Sequence, residues 1–301
     1  MLGPLLFLLY INDIPQASKV LGFHLFADDT SLFFSHPNLN VIEDTVNAEL
    51  GRISDWLIAN KLTLNTKKSN FLLVHPRQRK PSRKISLSIN NEPLVETAKY
   101  LGVLIDNKLS WKYHIQQINM KVAKSLGIIA KMRHFVSENT LINIFNAFIS
   151  PHINYGITNW GGAYSKYLDP VRRKLKRAVR LIGFKKQNVH SAPLFKSYGL
   201  LNLDDCYKLE CAKFMYDVSG GNVEEHFQKL FQLVNSRHSI QTRQATAGHL
   251  AQPLVRTNYK QNFITNYGVK VWNGIPKELR DAKSKKVFTK KYKKWLLDSY
   301  N

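Results

Sequence analysis

With 301 residues, 44% of them hydrophobic, the chain can build two or three small packed units rather than one large core. It carries 44 Lys and Arg against 21 Asp and Glu, a net charge of +23, and that excess points to a polyanionic partner, with nucleic acid the default. Its two cysteines, Cys206 and Cys211, match no zinc spacing and are too few to staple a secreted domain, so a reduced intracellular protein of the nucleus or cytoplasm is expected.

The charge is unevenly spread. Residues 1–60 hold two basic and seven acidic side chains, net −5, whereas residues 61–135 hold fifteen and three, net +12. Residues 136–183 have net +5, residues 184–234 are neutral, and residues 235–301 hold fourteen and three, net +11. An acidic patch followed by basic stretches suits a metal site followed by a nucleic-acid track.

In chain order, the apolar run over residues 2–12 reads as a buried helix. It lacks a basic leader and a cleavage site and is too short to span a bilayer, so no secretion signal or membrane association is expected. Strands over residues 22–26 and 30–35, joined by Ala27-Asp28-Asp29, form a hairpin. Ile42, Val46, Leu50, Ile53 and Leu57 then recur at helical spacing, with Asn40 as the cap and Glu43 as its capping-box partner. Residues 71–75 read as a strand. Ile85, Leu87 and Ile89 alternate before an Asn90-Asn91 hairpin turn, and residues 100–105 form another apolar strand.

From Ser110 the period is helical. Ile115, Ile118, Val122, Leu126 and Ile129 form one stripe, and Leu141, Ile144, Phe145, Phe148 and Ile149 a second, stopped by Pro151. Asp169-Pro170 opens a helix striped by Val171, Leu175, Val179 and Ile182 and ended by Gly183. A further helix covers residues 204–218. Residues 236–262 show no period, and residues 283–294 are lysine-rich.

Two adjacent carboxylates at a hairpin tip, Asp28 and Asp29, repel each other unless a cation lies with them. A hard ion such as Mg²⁺ takes oxygen ligands, and Mn²⁺ is the substitute. An ordinary Asp-Asp turn is the competing reading.

The surrounding motifs narrow the choice. Leu2-Gly3-Pro4-Leu5-Leu6-Phe7 with Tyr10-Ile11-Asn12-Asp13 resembles the segment after the Gln-Gly-Ser motif of reverse transcriptases from non-LTR (LINE-type) retrotransposons. Phe26-Ala27-Asp28-Asp29 resembles their metal-binding box. Trp56 and the stretch Asn60-Lys61-Leu62-Thr63-Leu64-Asn65-Thr66-Lys67-Lys68-Ser69 resemble the next motif, and Tyr100-Leu101-Gly102-Val103 with Asp106 the primer grip. His190-Ser191-Ala192-Pro193-Leu194 and the stretch from Gly268 to Pro276 are similar to the tails of such elements.

The resemblance implies an α+β chain: a partial right-hand polymerase palm over residues 1–109, a helical thumb over 110–183, and a basic, mostly helical C-terminal region over 184–301. It implies RNA-directed DNA synthesis with two metal ions in the full-length protein. Asp28 would be the principal metal ligand and Asp29 a supporting one. Lys68, with Lys67 as the other register, would protonate the leaving pyrophosphate. Tyr100, Leu101 and Gly102 would hold the primer end. Lys112, Lys121, Lys124 and Lys131, with Arg172, Arg173, Lys176, Arg177 and Arg180, would contact the backbones of an RNA template and a DNA primer. Deoxynucleoside triphosphates would be the other substrate of the full-length form, and no obligate protein partner is implied.

The family palm also needs an Asp upstream of Gln-Gly-Ser, which this chain does not contain. The chain alone is therefore expected not to polymerise, and Leu5, Leu6, Leu8 and Leu9 are expected to expose apolar surface. A non-catalytic nucleic-acid-binding remnant is the alternative. The genomic sequence upstream of Met1 separates the two readings, by an open frame or by stop codons.

Overall fold

The computed structural model describes residues 2–76, 78, 80–90, 92–96, 98–234 and 248–300, and the chain divides into two compact units, Met1–Ser110 and Trp111–Asn301. Both helices and strands are present, in keeping with an α+β chain.

The first unit begins with α1 (Gly3–Ile11) and a 3₁₀ turn (Ile14–Ala17), followed by β1 (Gly22–Phe26), β2 (Asp29–Phe33) and α2 (Leu39–Ala59). Its core gathers Ile11, Ile14, Leu21, Ile53 and Leu57, with Phe7, Phe23, Leu25, Leu32 and Leu62 packed around them. The apolar first run is helical but not buried. Only Ile11 of α1 is enclosed, while Leu5, Leu6, Leu8 and Leu9 are exposed, Leu9 at 68%. A helix apolar on every side needs partners on every side, and the described residues cover one.

The helix α2 starts two residues earlier than its spacing suggests. Asn38, not Asn40, is the cap, and its side chain accepts from the Asn40 backbone N–H at 2.9 Å. Glu43 is not a capping-box residue. It pairs with Arg83 and accepts from the Ser86 backbone N–H at 2.7 Å, so a long-range partner outcompetes the local cap. At the other end Lys61 takes φ 54°, and the Leu62 N–H reaches the Leu57 carbonyl at 2.8 Å, closing the helix by a Schellman motif.

Short strand pairs complete this unit. β3 (Asn70–Phe71) pairs in parallel with β6 (Val95–Glu96), and β4 (Ser88–Ile89) pairs antiparallel with β5 (Glu92–Pro93). The strand expected over 71–75 is shorter among the described residues, β3 ending at Phe71 opposite Glu96 of β6. Ile85, Leu87 and Ile89 are all buried, as their alternation requires, and Asn90 turns at φ 52°. Asn91 lies outside the described residues. Asn47 of α2 holds this strand edge, donating to the Ser86 carbonyl and accepting from the Ser88 N–H, each at 3.0 Å. The single strand expected over 100–105 is instead a hairpin, β7 (Ala98–Tyr100) and β8 (Val103–Ile105). Leu101 and Gly102 form its turn with φ 44° and 80°, both positive as a type I′ turn requires.

The second unit is helical: α3 (Lys112–Met132), α4 (Glu138–Phe148), α5 (Ser150–Asn154), α6 (Ile157–Trp160), α7 (Ser165–Ile182), α8 (Ala192–Ser197), α9 (Leu203–Ser219), α10 (Glu225–Gln228), α11 (Asn258–Gln261), α12 (Ile264–Asn273), α13 (Lys277–Arg280) and α14 (Lys285–Asp298). Helices α3 and α7 pack extensively together, as do α9 and α12. One cluster of buried residues runs from Ile115 to Tyr300, so segments 110–183 and 184–301 share a core. All five residues of the first α3 stripe are buried in it. In the second stripe Leu141, Phe145 and Ile149 are buried, while Phe148 is exposed. The C-terminal helix is strapped in by Tyr300, whose hydroxyl accepts from the Asn202 N–H at 3.1 Å, and by a Tyr216–Phe288 ring stack at 4.9 Å. Residues 236–247 of the aperiodic stretch 236–262 lie outside the described residues. No helix among the described residues is long and apolar enough to cross a membrane.

Two boundaries of α7 differ from the expected ones. It begins at Ser165, with Pro170 inside it rather than at its start, because Leu168 is buried and draws the preceding turn into the core. It ends with Gly183 in ordinary backbone at φ −88°, and the left-handed position falls on Phe184 at φ 54°. Gly183 is required for a different reason. A Cβ there would collide with the Tyr198 hydroxyl.

Candidate metal and nucleic-acid site

The β1–β2 hairpin builds the acidic site from register alone. Phe23, Leu25 and Leu32 pack toward the core, so the intervening residues face outward. Phe26 pairs with Asp29, leaving Ala27 and Asp28 as a two-residue turn. Asp28 is therefore at the tip and Asp29 opens β2, one residue earlier than the expected strand. Ala27 alone of the two has positive φ, at 52°, the pattern of a type II′ turn. Both carboxylates are exposed, and among the described residues neither enters an ion pair.

This donor set fits a hard divalent cation in kind but not in number. Mg²⁺ wants six oxygen ligands, and two carboxylates from one turn supply a part of that shell. Among the described residues no group of three or more His, Cys, Asp or Glu side chains is placed to hold a metal.

Lys67 and Lys68 lie on a 3₁₀ turn (Thr66–Lys68) whose cap, Asn65, accepts from the Lys68 N–H at 3.3 Å. Both side chains are exposed. Tyr100 ends β7, and Leu101 and Gly102 are the β7–β8 turn, so all three gather at one hairpin tip. Asp106 closes the following loop, accepting from the Lys108 and Ser110 N–H groups at 3.1 and 3.0 Å.

On α7, Val171, Leu175, Ala178, Val179 and Ile182 are buried. Arg173, Lys176, Arg177 and Arg180, at spacings of three, four and seven, line the opposite side. The first three are exposed, and Arg180 donates from Nε to the Val189 carbonyl at 2.7 Å. Arg172 leaves this row. It donates to Asp169 at 2.7 Å and to Asp204 of α9 through Nε, and these bonds hold its pKa up against the cost of burial. Lys174 bridges to Asn119 of α3 at 2.7 Å. Burial first, then Arg173 and Arg177, push its pKa down. On α3, Lys121, Lys124 and Lys131 are exposed, and Lys112 lies over the Tyr113 ring at 5.5 Å.

No acidic residue occurs between Asp106 and Glu138 or between Asp169 and Asp204. All of α3, and α7 from Pro170 onward, fall inside these two acid-free intervals. Helical periodicity passes over two exposed aromatics, Phe135 and Phe184, because each lies just beyond the end of a helix. The acid-free intervals are the signal that reaches them.

The chain is similar to three curated proteins of mobile elements. It is 28% identical over 189 residues to the probable RNA-directed DNA polymerase from transposon X-element of Drosophila melanogaster, covering 60% of this chain and 21% of that protein. It is 24% identical over 195 residues to the RNA-directed DNA polymerase from mobile element jockey of the same species, and 23% identical to the jockey protein of Drosophila funebris, with the same coverage. The chain thus spans about a fifth of the length of these relatives. No protein-family model and no solved structure matches it.

Proposed function

We propose that this chain is the later part of the polymerase region of a non-LTR retrotransposon reverse transcriptase, with Met1–Ser110 as the end of its palm and the helices after it as a thumb and basic tail. The observation that carries the reading is the hairpin, whose register sets Asp28 at an open tip and Asp29 beside it, in a chain whose relatives are RNA-directed DNA polymerases.

In the complete enzyme a divalent ion such as Mg²⁺ supplies activation of the attacking primer hydroxyl and neutralisation of the triphosphate. Asp28 and Asp29 would hold that ion with ligands from outside this chain. Lys68 would donate a proton to the departing pyrophosphate, and Tyr100, Leu101 and Gly102 would fix the primer end. The exposed cations of α3 and α7 would bind the phosphate backbones of RNA template and DNA primer without reading sequence.

A second reading, a non-catalytic nucleic-acid-binding remnant, is favoured by the lack of a third ligating side chain near Asp28 and Asp29 among the described residues. One experiment separates the two. The preceding polymerase region of a related element is fused to Leu2, and RNA-templated primer extension with Mg²⁺ is measured. The chimera is expected to extend the primer, and Asp28→Asn to abolish extension. Lys68→Ala should lose about 10²–10⁴-fold, the usual contribution of one proton-transferring group. A folded, active chimera whose rate ignores Asp28→Asn would show that Asp28 is only a turn residue.

A further inference from the structure

The helices α3 and α7 end at one place. Arg133, the residue after α3, lays its guanidinium over the Phe184 ring at 4.3 Å, and the His134 ring meets the same ring edge-on at 6.1 Å. Phe135 follows at 82% exposure, and Phe184 is 51% exposed. Lys185 and Lys186, both exposed, continue the chain. Glu138, the first acid beyond this stretch, receives the Tyr198 hydroxyl.

Phe184 occupies a position that favours glycine. It is the left-handed residue of a Schellman motif, in which the Lys185 N–H meets the Arg180 carbonyl at 2.9 Å and the Phe184 N–H meets the Leu181 carbonyl at 3.4 Å. Glycine would close both bonds without steric cost. The strained backbone instead presents an aromatic ring to solvent, backed by an arginine whose buried Nε has no hydrogen-bond partner among the described residues.

We propose that Phe135 and Phe184 form a stacking platform for unpaired nucleotides, with Arg133, Lys185 and Lys186 binding the phosphates between the bases. Flat aromatic faces among cations, with the nearby Glu138 carboxylate engaged by the Tyr198 hydroxyl, match a single-stranded polyanion, since every base has a π-face and stacking tolerates any sequence. A protein partner fits less well. The apolar surface is two rings rather than a continuous patch, and four basic or imidazole side chains, Arg133, His134, Lys185 and Lys186, accompany it. A duplex fits less well also, because its base faces are already stacked on one another. The inference rests on the nucleic-acid reading of α3 and α7 but concerns a different contact.

The test is fluorescence anisotropy with the full chain. The probes are a labelled oligothymidine, an oligouridine of the same length and a hairpin duplex. Phe135→Leu and Phe184→Leu keep apolar bulk and remove the ring. Each should weaken single-strand binding about tenfold, the factor given by about 1.4 kcal/mol of lost stacking. Duplex affinity and the salt slope should stay as in the parent, and Phe135→Tyr and Phe184→Tyr should restore the affinity. A loss confined to one of the two single strands assigns the platform to DNA or to RNA and supports it. Parental oligonucleotide affinity in both Leu variants, or an equal loss on single strand and duplex, overturns the platform. A parent that binds no duplex but shows the ring-dependent loss would instead count against the phosphate track alone.

Discussion

The basic face of α7 makes a quantitative demand. Of the nine cations on α3 and α7 expected to contact the backbones, six stand exposed: Lys121, Lys124, Lys131, Arg173, Lys176 and Arg177. If each neutralises one duplex phosphate, log affinity falls with log salt at a slope of about −0.9 per contact, so about −5.4 in all. The triple variant Arg173→Ala, Lys176→Ala, Arg177→Ala should halve that slope to about −2.7. Between about 50 and 200 mM salt the parent would lose about 2,000-fold in affinity and the triple variant about 40-fold. All three side chains point away from the buried stripe, so the variant should fold normally. Arg172→Ala is the contrasting control on the same helix. Arg172 is spent on Asp169 and Asp204, so its loss should leave the slope unchanged and cost about 0.2–1 kcal/mol of stability per ion pair, since both carboxylates are half-exposed. The assay is a salt titration of duplex binding by filter retention, with thermal melts alongside. A triple variant with the parental slope, or an Arg172→Ala slope reduced like that of an exposed cation, would refute the assignment.

Phe184→Gly should raise the melting temperature by a few degrees, since relieving a left-handed non-glycine residue returns about 1 kcal/mol, while single-strand affinity falls; an unchanged or lower melting temperature would mean that the ring packing under Arg133 outweighs the strain. Leu101→Asn should stabilise the first unit by about 0.5–1 kcal/mol in urea denaturation, because Asn-Gly suits a type I′ turn and Leu at φ 44° does not. His114 is 4% exposed, and burial first, then Lys121, holds its pKa below the usual 6.5. The unfolded chain therefore takes up its proton first, so stability present above pH 6.5 is lost as pH falls below it. His114→Gln should flatten that fall without abolishing it, since His152 is shifted the same way, and identical acid-limb melts for parent and variant would contradict this.

The elements legible in the sequence are those whose cause is local. The stripe from Ile115 to Ile129 fixes which side of α3 is buried because one helical turn repeats every 3.6 residues whatever the neighbours do. The alternation Ile85, Leu87, Ile89 and the carboxylates between two short apolar strands are equally local, so the hairpin bearing Asp28 and Asp29 could be read directly. Where several partners compete, the sequence underdetermines the outcome. Glu43 had a local cap available and took Arg83, forty residues on, and Asn38 capped the helix in its place. The apolar run 100–105 carries no mark of its fold-back except Gly102, because a strand and a hairpin of the same residues are equally apolar.

Composition established that the chain is basic and which stretches are free of acids, since charge is additive along a sequence. Which cations stay available is not additive. Arg172 and Arg173 are neighbours of the same kind, yet packing turns one onto Asp204 of α9 and leaves the other in water. The same applies to the end of α7, where Gly183 looks like the left-handed stop. Tertiary packing against Tyr198 claims that glycine for lack of space and passes the strained position to Phe184, whose ring then stands in solvent over Arg133.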